Sequence, residues 1–311
     1  MSPEPSSRAF RLRREESVGD GLRRVAAGRA ETALERLGGR QGESPAEAIH
    51  GARKDLKKLR AVLRLSRAAL GRDLFRAENR RFRDAARLLS ASRDAEVRLA
   101  TLAALRERCG GELPGAAAAV WAEEMARERD EGAAGGAAPE QARREAIAAI
   151  AAGRDEIATW PLDGASWKLL RNGLRRSYRD GRHGWRQAAA GPSPEATHEW
   201  RKRAKDLWYQ LRIVAPAWPA VLDPTAEQLH QVAEQLGDHH DLALLADDLE
   251  QRSWIDATDR HQLTAAISHR QAELVGAAAA TGARLYAERP KAFGHRLGVY
   301  WKAWRDPSRQ G

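Results

Sequence analysis

Cysteine is nearly missing from this chain: Cys109 is the only one among 311 residues. No intramolecular disulfide can form and no thiolate cluster can hold a metal, which excludes a bridge-stapled fold. Strand signals are equally scarce, because no run alternates Val, Ile or Tyr with polar residues over a strand's length. No apolar stretch approaches the length of a membrane-crossing helix. The opening residues, MSPEPSSRAFRLRREESVG, have no apolar signal-peptide core. A Gly-rich phosphate loop, a Ser-His-Asp order and a paired-carboxylate site are also lacking. These gaps lead to the expectation of a reduced, cytoplasmic, all-α protein without membrane contact.

Ala, Arg and Leu dominate instead, and charged residues make up 31% of the chain against 6% aromatics, a helix-forming composition. The length suffices for two modest domains, each with its own core. Lys and Arg number 53 and acids 43, and the resulting charge of +10 favours a polyanionic partner. Nine of the ten tryptophans follow residue 150 and are expected to fill cores or interfaces, since indoles have large areas to bury.

The positive charge is patterned. Residues 44–67 read SPAEAIHGARKDLKKLRAVLRLSR, with Ser44 as N-cap, Pro45 at the first helical position and Glu47 where a capping box needs a carboxylate. On a wheel of about 100° per residue, His50, Arg53, Lys54, Lys57 and Arg64 share one side, with Arg60 at its margin. Leu56, Leu59 and Leu63 take the other, with Ala52 between them. Cations this close repel one another along an isolated helix, so the stripe calls for an anion beside it.

Residues 193–213, SPEATHEWRKRAKDLWYQLRI, repeat the pattern H-x-x-R-K-x-x-K-x-L-x-x-x-L-R. His198, Arg201, Lys202, Lys205 and Arg212 match His50, Arg53, Lys54, Lys57 and Arg64, and Leu207 and Leu211 match Leu59 and Leu63. A preceding helix is repeated too: Gly21-Leu22-Arg23-Arg24 returns as Gly173-Leu174-Arg175-Arg176, and Arg175, Arg179 and Arg182 cluster on one face. A third helix carries Arg80, Arg81, Arg83 and Arg87. Leader helix, basic helix, third helix and a joint with an Asp (Arg93-Asp94, then His239-His240-Asp241) thus occur twice in one order. Helices are expected over 15–37, 74–89 and 224–236, with that second joint following the last of them.

The twin H-x-x-R-K-x-x-K helices resemble the CHAD domain, the conserved histidine α-helical domain, over residues 10–305. The resemblance implies two antiparallel four-helix bundles related by a pseudo-twofold axis. They are expected over 8–158, with a flexible break at 132–139, and over 159–305. It also implies binding of inorganic polyphosphate in a basic groove or pore between them, and an association with polyphosphate granules. The expected donors are His50, Arg53, Lys54, Lys57, Arg60 and Arg64 with His198, Arg201, Lys202, Lys205 and Arg212. Arg23, Arg24, Arg83, Arg175, Arg179 and Arg182 join them. Each stripe's histidine either donates to phosphate as a neutral imidazole or bonds a neighbouring helix and orients the stripe.

Some members are fused to a triphosphate-processing CYTH domain marked by an E-x-E-x-K strand, and no such pattern occurs in this sequence. The resemblance therefore carries over binding, with no enzyme activity, cofactor or metal. The enzymatic alternative is an HD-type metal-dependent phosphohydrolase built on His240-Asp241, with His198, His230, His261 and His269 drafted as ligands. Against it, the dyad aligns with Arg93-Asp94, and arginine cannot ligate a metal; Asp94 and Asp241 are then helix caps or partners of a buried cation. A nucleic-acid surface is the weaker binding alternative, because no aromatic platform runs in phase with the cations. A basic scaffold protein on storage granules is another.

Overall fold

A computed structural model describes residues 8–39, 42–89, 94–111, 113–133, 137–306 and 308. Eleven α-helices and no strands occur among them: α1 (Val18–Leu37), α2 (Pro45–Leu70), α3 (Arg72–Leu88), α4 (Asp94–Cys109), α5 (Gly115–Ala133), α6 (Ala137–Ile157), α7 (Trp167–Ala190), α8 (Pro194–Val214), α9 (Pro219–Glu250), α10 (Ala257–Leu285) and α11 (Pro290–Arg305). A 3-10 turn, Ala215–Ala217, joins α8 to α9.

The basic helices begin as their sequences dictate. Ser44 Oγ accepts from the Glu47 amide, and the Glu47 carboxylate accepts from the Ser44 amide, which completes the capping box of α2. Ser193 Oγ accepts from the Ala196 amide and starts α8 without the reciprocal bond. Gly71 ends α2 at φ +74°, left-handed backbone that a side chain would strain.

Two rings of four helices carry the architecture. α1, α2, α3 and α6 pack around one ring, and α7, α8, α9 and α10 around another. α2 joins them by lying against both α7 and α8. The expected boundary at 158/159 falls just after α6, beside buried Trp160 and Leu162. Apolar residues from both sides of it, such as Leu59, Leu63, Trp160, Leu174, Trp200 and Leu211, belong to one core. α4 leaves the first ring to pack on α9 and α10, building a second core of Leu102, Leu105, Trp121, Leu245, Leu263 and Ile267. Trp121 Nε1 donates to Asp248 Oδ2 at 2.7 Å inside it. Of the tryptophans, Trp121, Trp160, Trp200, Trp208 and Trp301 are buried, while Trp218 and Trp254 are exposed.

One expected joint is missing. α9 runs unbroken through Leu236-Gly237-Asp238-His239-His240-Asp241, because Leu236, His239, Leu242, Leu245 and Leu249 continue a buried stripe across it. Asp241 therefore caps nothing; it lines a cavity of about 710 Å³ with Arg108 and Arg270. Arg93 of the first joint lies outside the described residues, as do Met1–Ser7 and residues 134–136 of the expected break. α5 and α6 run up to those last three from either side. No helix among the described residues is long and apolar enough to cross a membrane.

Candidate functional site

The two basic helices touch. Gln210 Nε2 on α8 donates to the Ala61 carbonyl on α2 at 3.3 Å, and Arg64 NH1 on α2 lies 3.1 Å from Asp206 Oδ1 on α8. On either side of this contact, cations of the two helices come within each other's field. The Lys205 ammonium is lowered from the ordinary lysine range by burial first, then by Arg201, with Lys54 of the other helix adding to the effect. Burial likewise lowers Lys58, with Asp55 opposing and Arg29 and Arg212 reinforcing it. Arg60, whose Nε donates to Asn79, is pushed down to about 10 by burial and then by Arg64, and stays charged at neutral pH.

On α2 the counter-ion is Asp55. Its side chain is only 3% exposed and takes Arg29 at 3.0 Å, Lys58 at 3.3 Å and Arg36 at 3.4 Å. Arg36 also pairs with Glu43. Next to this knot, His50, Arg53, Lys54 and Lys58 border a cavity of about 600 Å³ whose far wall is Val97 and Ala100 of α4.

On α8 the counter-ions differ. Lys202 lies 3.4 Å from Glu199, Lys205 lies 3.5 Å from Glu234 of α9, and Arg203 pairs with Glu199. Arg201 passes over Gly237, where a Cβ would come within 2.7 Å of its NH2 nitrogen, and its buried Nε has no hydrogen-bond partner. The His198 ring centroid is 5.0 Å from that of His240. Burial, then Lys202, hold the His198 imidazole below the usual histidine value, so it is neutral at pH 7. Its buried Nδ1 has no hydrogen-bond partner, so that atom makes no orienting bond to a neighbouring helix.

Residues 8–16 cross the C-terminal end of α8, where the Leu12 amide donates to the Ile213 carbonyl at 2.8 Å. The Phe10 ring meets Tyr209 edge-on and has the cationic centres of Lys58, Arg29 and Arg212 at 5.9, 6.0 and 6.0 Å from its centroid. Arg212 also sits 5.9 Å from the Trp208 ring, which stacks on His230 at 3.9 Å.

The other expected donors are not gathered at this face. Arg23 donates to the Trp160 carbonyl and to Asp163, tying α1 to the segment before α7. Arg24 donates to Glu16 and to the carbonyls of Ala9 and Arg11. Arg182 donates to the Tyr286 carbonyl. Arg83 is exposed and paired with Asp84, Arg179 is paired with Asp180, and Arg175 lies against Gly294 of α11. The first three are anchors: a guanidinium donates in several directions at once and suits buried carbonyls as well as ligands.

Of the histidines drafted for metal, His198 and His240 lie side by side, but the others stand apart from them and His261 is exposed. His239 is buried against Thr197, His230 is stacked on Trp208, and His269 is exposed beside Glu273. Among the described residues, no group of three or more His, Cys, Asp or Glu is arranged to hold a metal ion.

Sequence reasoning missed Lys58, Arg29, Arg36, Phe10, Arg203 and Asp206. The only signal was in the repeat itself: Asp55 and Lys58 of α2 align with Arg203 and Asp206 of α8, an exchange of charge that marks where counter-ions sit.

Comparison with solved structures finds the same architecture elsewhere. The chain is similar to the crystal structure of the CHAD domain from the plant Ricinus communis, with a TM-score of 0.59 at 17% identity, covering 94% of this chain and 96% of that one. It is also similar to PptA from Streptomyces chartreusis, with a TM-score of 0.59 at 18% identity, covering 88% of this chain and all of that one. A search of curated proteins finds no match. The family model of the CHAD domain matches residues 24–250, more than half of the chain and including both basic helices, so the chain belongs to the CHAD domain family.

Proposed function

We propose that this protein binds inorganic polyphosphate along the face where α2 and α8 meet. The supporting observation is the convergence of two in-phase stripes, close enough that Lys54 acts on Lys205 and Arg212 on Lys58. A cluster of this kind is held together against its own repulsion and is relieved by an anion of high, evenly spaced charge. Guanidinium forks and ammonium groups suit the non-bridging oxygens of a phosphate chain. The family's association with polyphosphate points the same way. Nucleic acid fits less well, because Trp208 is buried under His230 and offers no face for a base. The reading is of a binding module without catalysis or metal; its place in the cell would be on polyphosphate granules.

Calorimetry with long-chain polyphosphate, ATP and duplex DNA, compared at one salt concentration, tests this reading. Long chains should bind far more tightly than ATP, since only they reach both stripes at once. Equal affinity for DNA would reduce the claim to general basicity. Phosphate release from polyphosphate with added manganese, or one equivalent of transition metal in the purified protein, would instead favour the phosphohydrolase.

A further inference from the structure

The two flanks of the α2/α8 contact are unlike. On the α1 side, residues 8–16 lie on the protein, and their carbonyls and Glu16 take the donors of Arg24, while the Arg8 carbonyl takes Arg29. On the α7 side, no segment among the described residues takes the matching arginine in this way. Arg176 aligns with Arg24 in the sequence repeat, yet among the described residues it makes no hydrogen bond and no ion pair. Neither does Arg67 at the end of α2, whose guanidinium lies over the Phe75 ring at 4.9 Å.

Gly173 brings these two arginines together. A Cβ at that position would come within 2.7 Å of Leu65 Cδ1 and 2.8 Å of the Leu65 carbonyl, so α7 approaches the α2 backbone directly. Arg176 follows one turn later on α7, and Arg67 follows Leu65 on α2. Burial, then the Arg67 charge, lower Arg176 from the ordinary arginine value. Asp180 opposes this, but its carboxylate is bonded to Arg179. Arg64 continues the row toward the groove through its pairing with Asp206.

We propose that a bound phosphate chain leaves the α2/α8 groove over α7, gripped by Arg67 and Arg176, and not over α1, where residues 8–16 occupy the matching ground. This rests on the polyphosphate reading and adds direction to it: the groove is open on one flank and closed on the other. A long chain then finds donors beyond the groove that a short oligophosphate does not reach.

The test compares wild type, Arg67→Gln/Arg176→Gln and a charge-matched control, Arg144→Gln/Arg284→Gln, whose residues are exposed on α6 and α10. Affinities for long-chain polyphosphate and for tripolyphosphate are measured over a salt series. The flank variant should lose about tenfold in affinity for the long chain, and its salt slope should flatten by nearly two units. Tripolyphosphate binding should be unchanged, and so should the thermal midpoint without ligand, because neither arginine holds an ion pair. Loss in the control equal to that in the flank variant would overturn the proposal, as would an unchanged long-chain affinity. If wild type binds no polyphosphate, the functional reading falls and this inference falls with it. If Lys54→Ala/Lys57→Ala weakens long-chain binding while the flank variant does not, only the inference falls.

Discussion

α2 and α8 carry the same histidine, cations and leucines in the same phase, yet their counter-ions are arranged in opposite ways. In α2 the acid comes first: Asp55 is buried and holds Lys58 from its own helix plus Arg29 and Arg36 from α1. In α8 the order is reversed, with Arg203 at the position of Asp55 and Asp206 at that of Lys58. Asp206 reaches across to Arg64 of α2, and its side chain is 13% exposed. Asp55 therefore ties together helices of one ring, whereas Asp206 bridges the two rings and sits beside a candidate ligand donor. Equal spacing of cations does not make equal binding surfaces; the acids decide which cations are held in place and which are left for a ligand.

The largest effect should come from Asp55→Ala. Three cations would lose the carboxylate that neutralises them in a nearly dry setting, and urea unfolding should register a loss of roughly 3–5 kcal/mol. Asp206→Ala should cost clearly less, because burial outweighs the attraction of Arg64 and Arg203 and already raises its carboxyl above the usual aspartate value. Equal losses would erase the contrast drawn between the two acids.

Next in size is the pair of double variants that treats the stripes symmetrically. Lys54→Ala/Lys57→Ala and Lys202→Ala/Lys205→Ala should each weaken long-chain polyphosphate binding by roughly a hundredfold, as expected for two lost charge-assisted contacts. The salt slope should fall by about two units in each. Folding should survive, because these side chains lie opposite the buried Leu59, Leu63, Leu207 and Leu211. A halved stoichiometry at unchanged affinity would mean two independent faces instead of one shared groove.

The smallest effect concerns pH and Asp206. Its folded value is raised, so its contribution to stability is fully present below the ordinary aspartate value and is lost as pH rises through the folded one. Acidification through that window neutralises Asp206, releases Arg64, and should strengthen polyphosphate binding by about tenfold at most. Asp206→Asn should bind at neutral pH as wild type does in acid, and should lack that part of the pH dependence. An Asn variant with the wild-type pH profile would remove Asp206 from the account.

Much of this was legible in the chain. Ser44-Pro45 with Glu47 and Ser193-Pro194 specify helix starts through local bonds, and the His, Lys, Arg and Leu spacing sets a greasy and a cationic face. Such features depend on residues within a few positions of one another. The continuity of α9 is hidden from the sequence for the same reason: Gly237-Asp238 looks like a break locally, but a stripe from Leu236 to Leu249 is buried against other helices.

Sequence alone determined the all-α class, the two amphipathic basic helices and their shared phase, because backbone bonding and side-chain periodicity are local properties. Only the tertiary structure decided where the charge goes. It set Phe10 among three cations, gave Arg24 to residues 9–16 while its repeat mate Arg176 makes no hydrogen bond or ion pair among the described residues, and placed Asp206 between α2 and α8. Those outcomes depend on which distant surfaces meet, and a charge becomes a site or an anchor according to the acids and carbonyls that packing brings within a few ångströms of it.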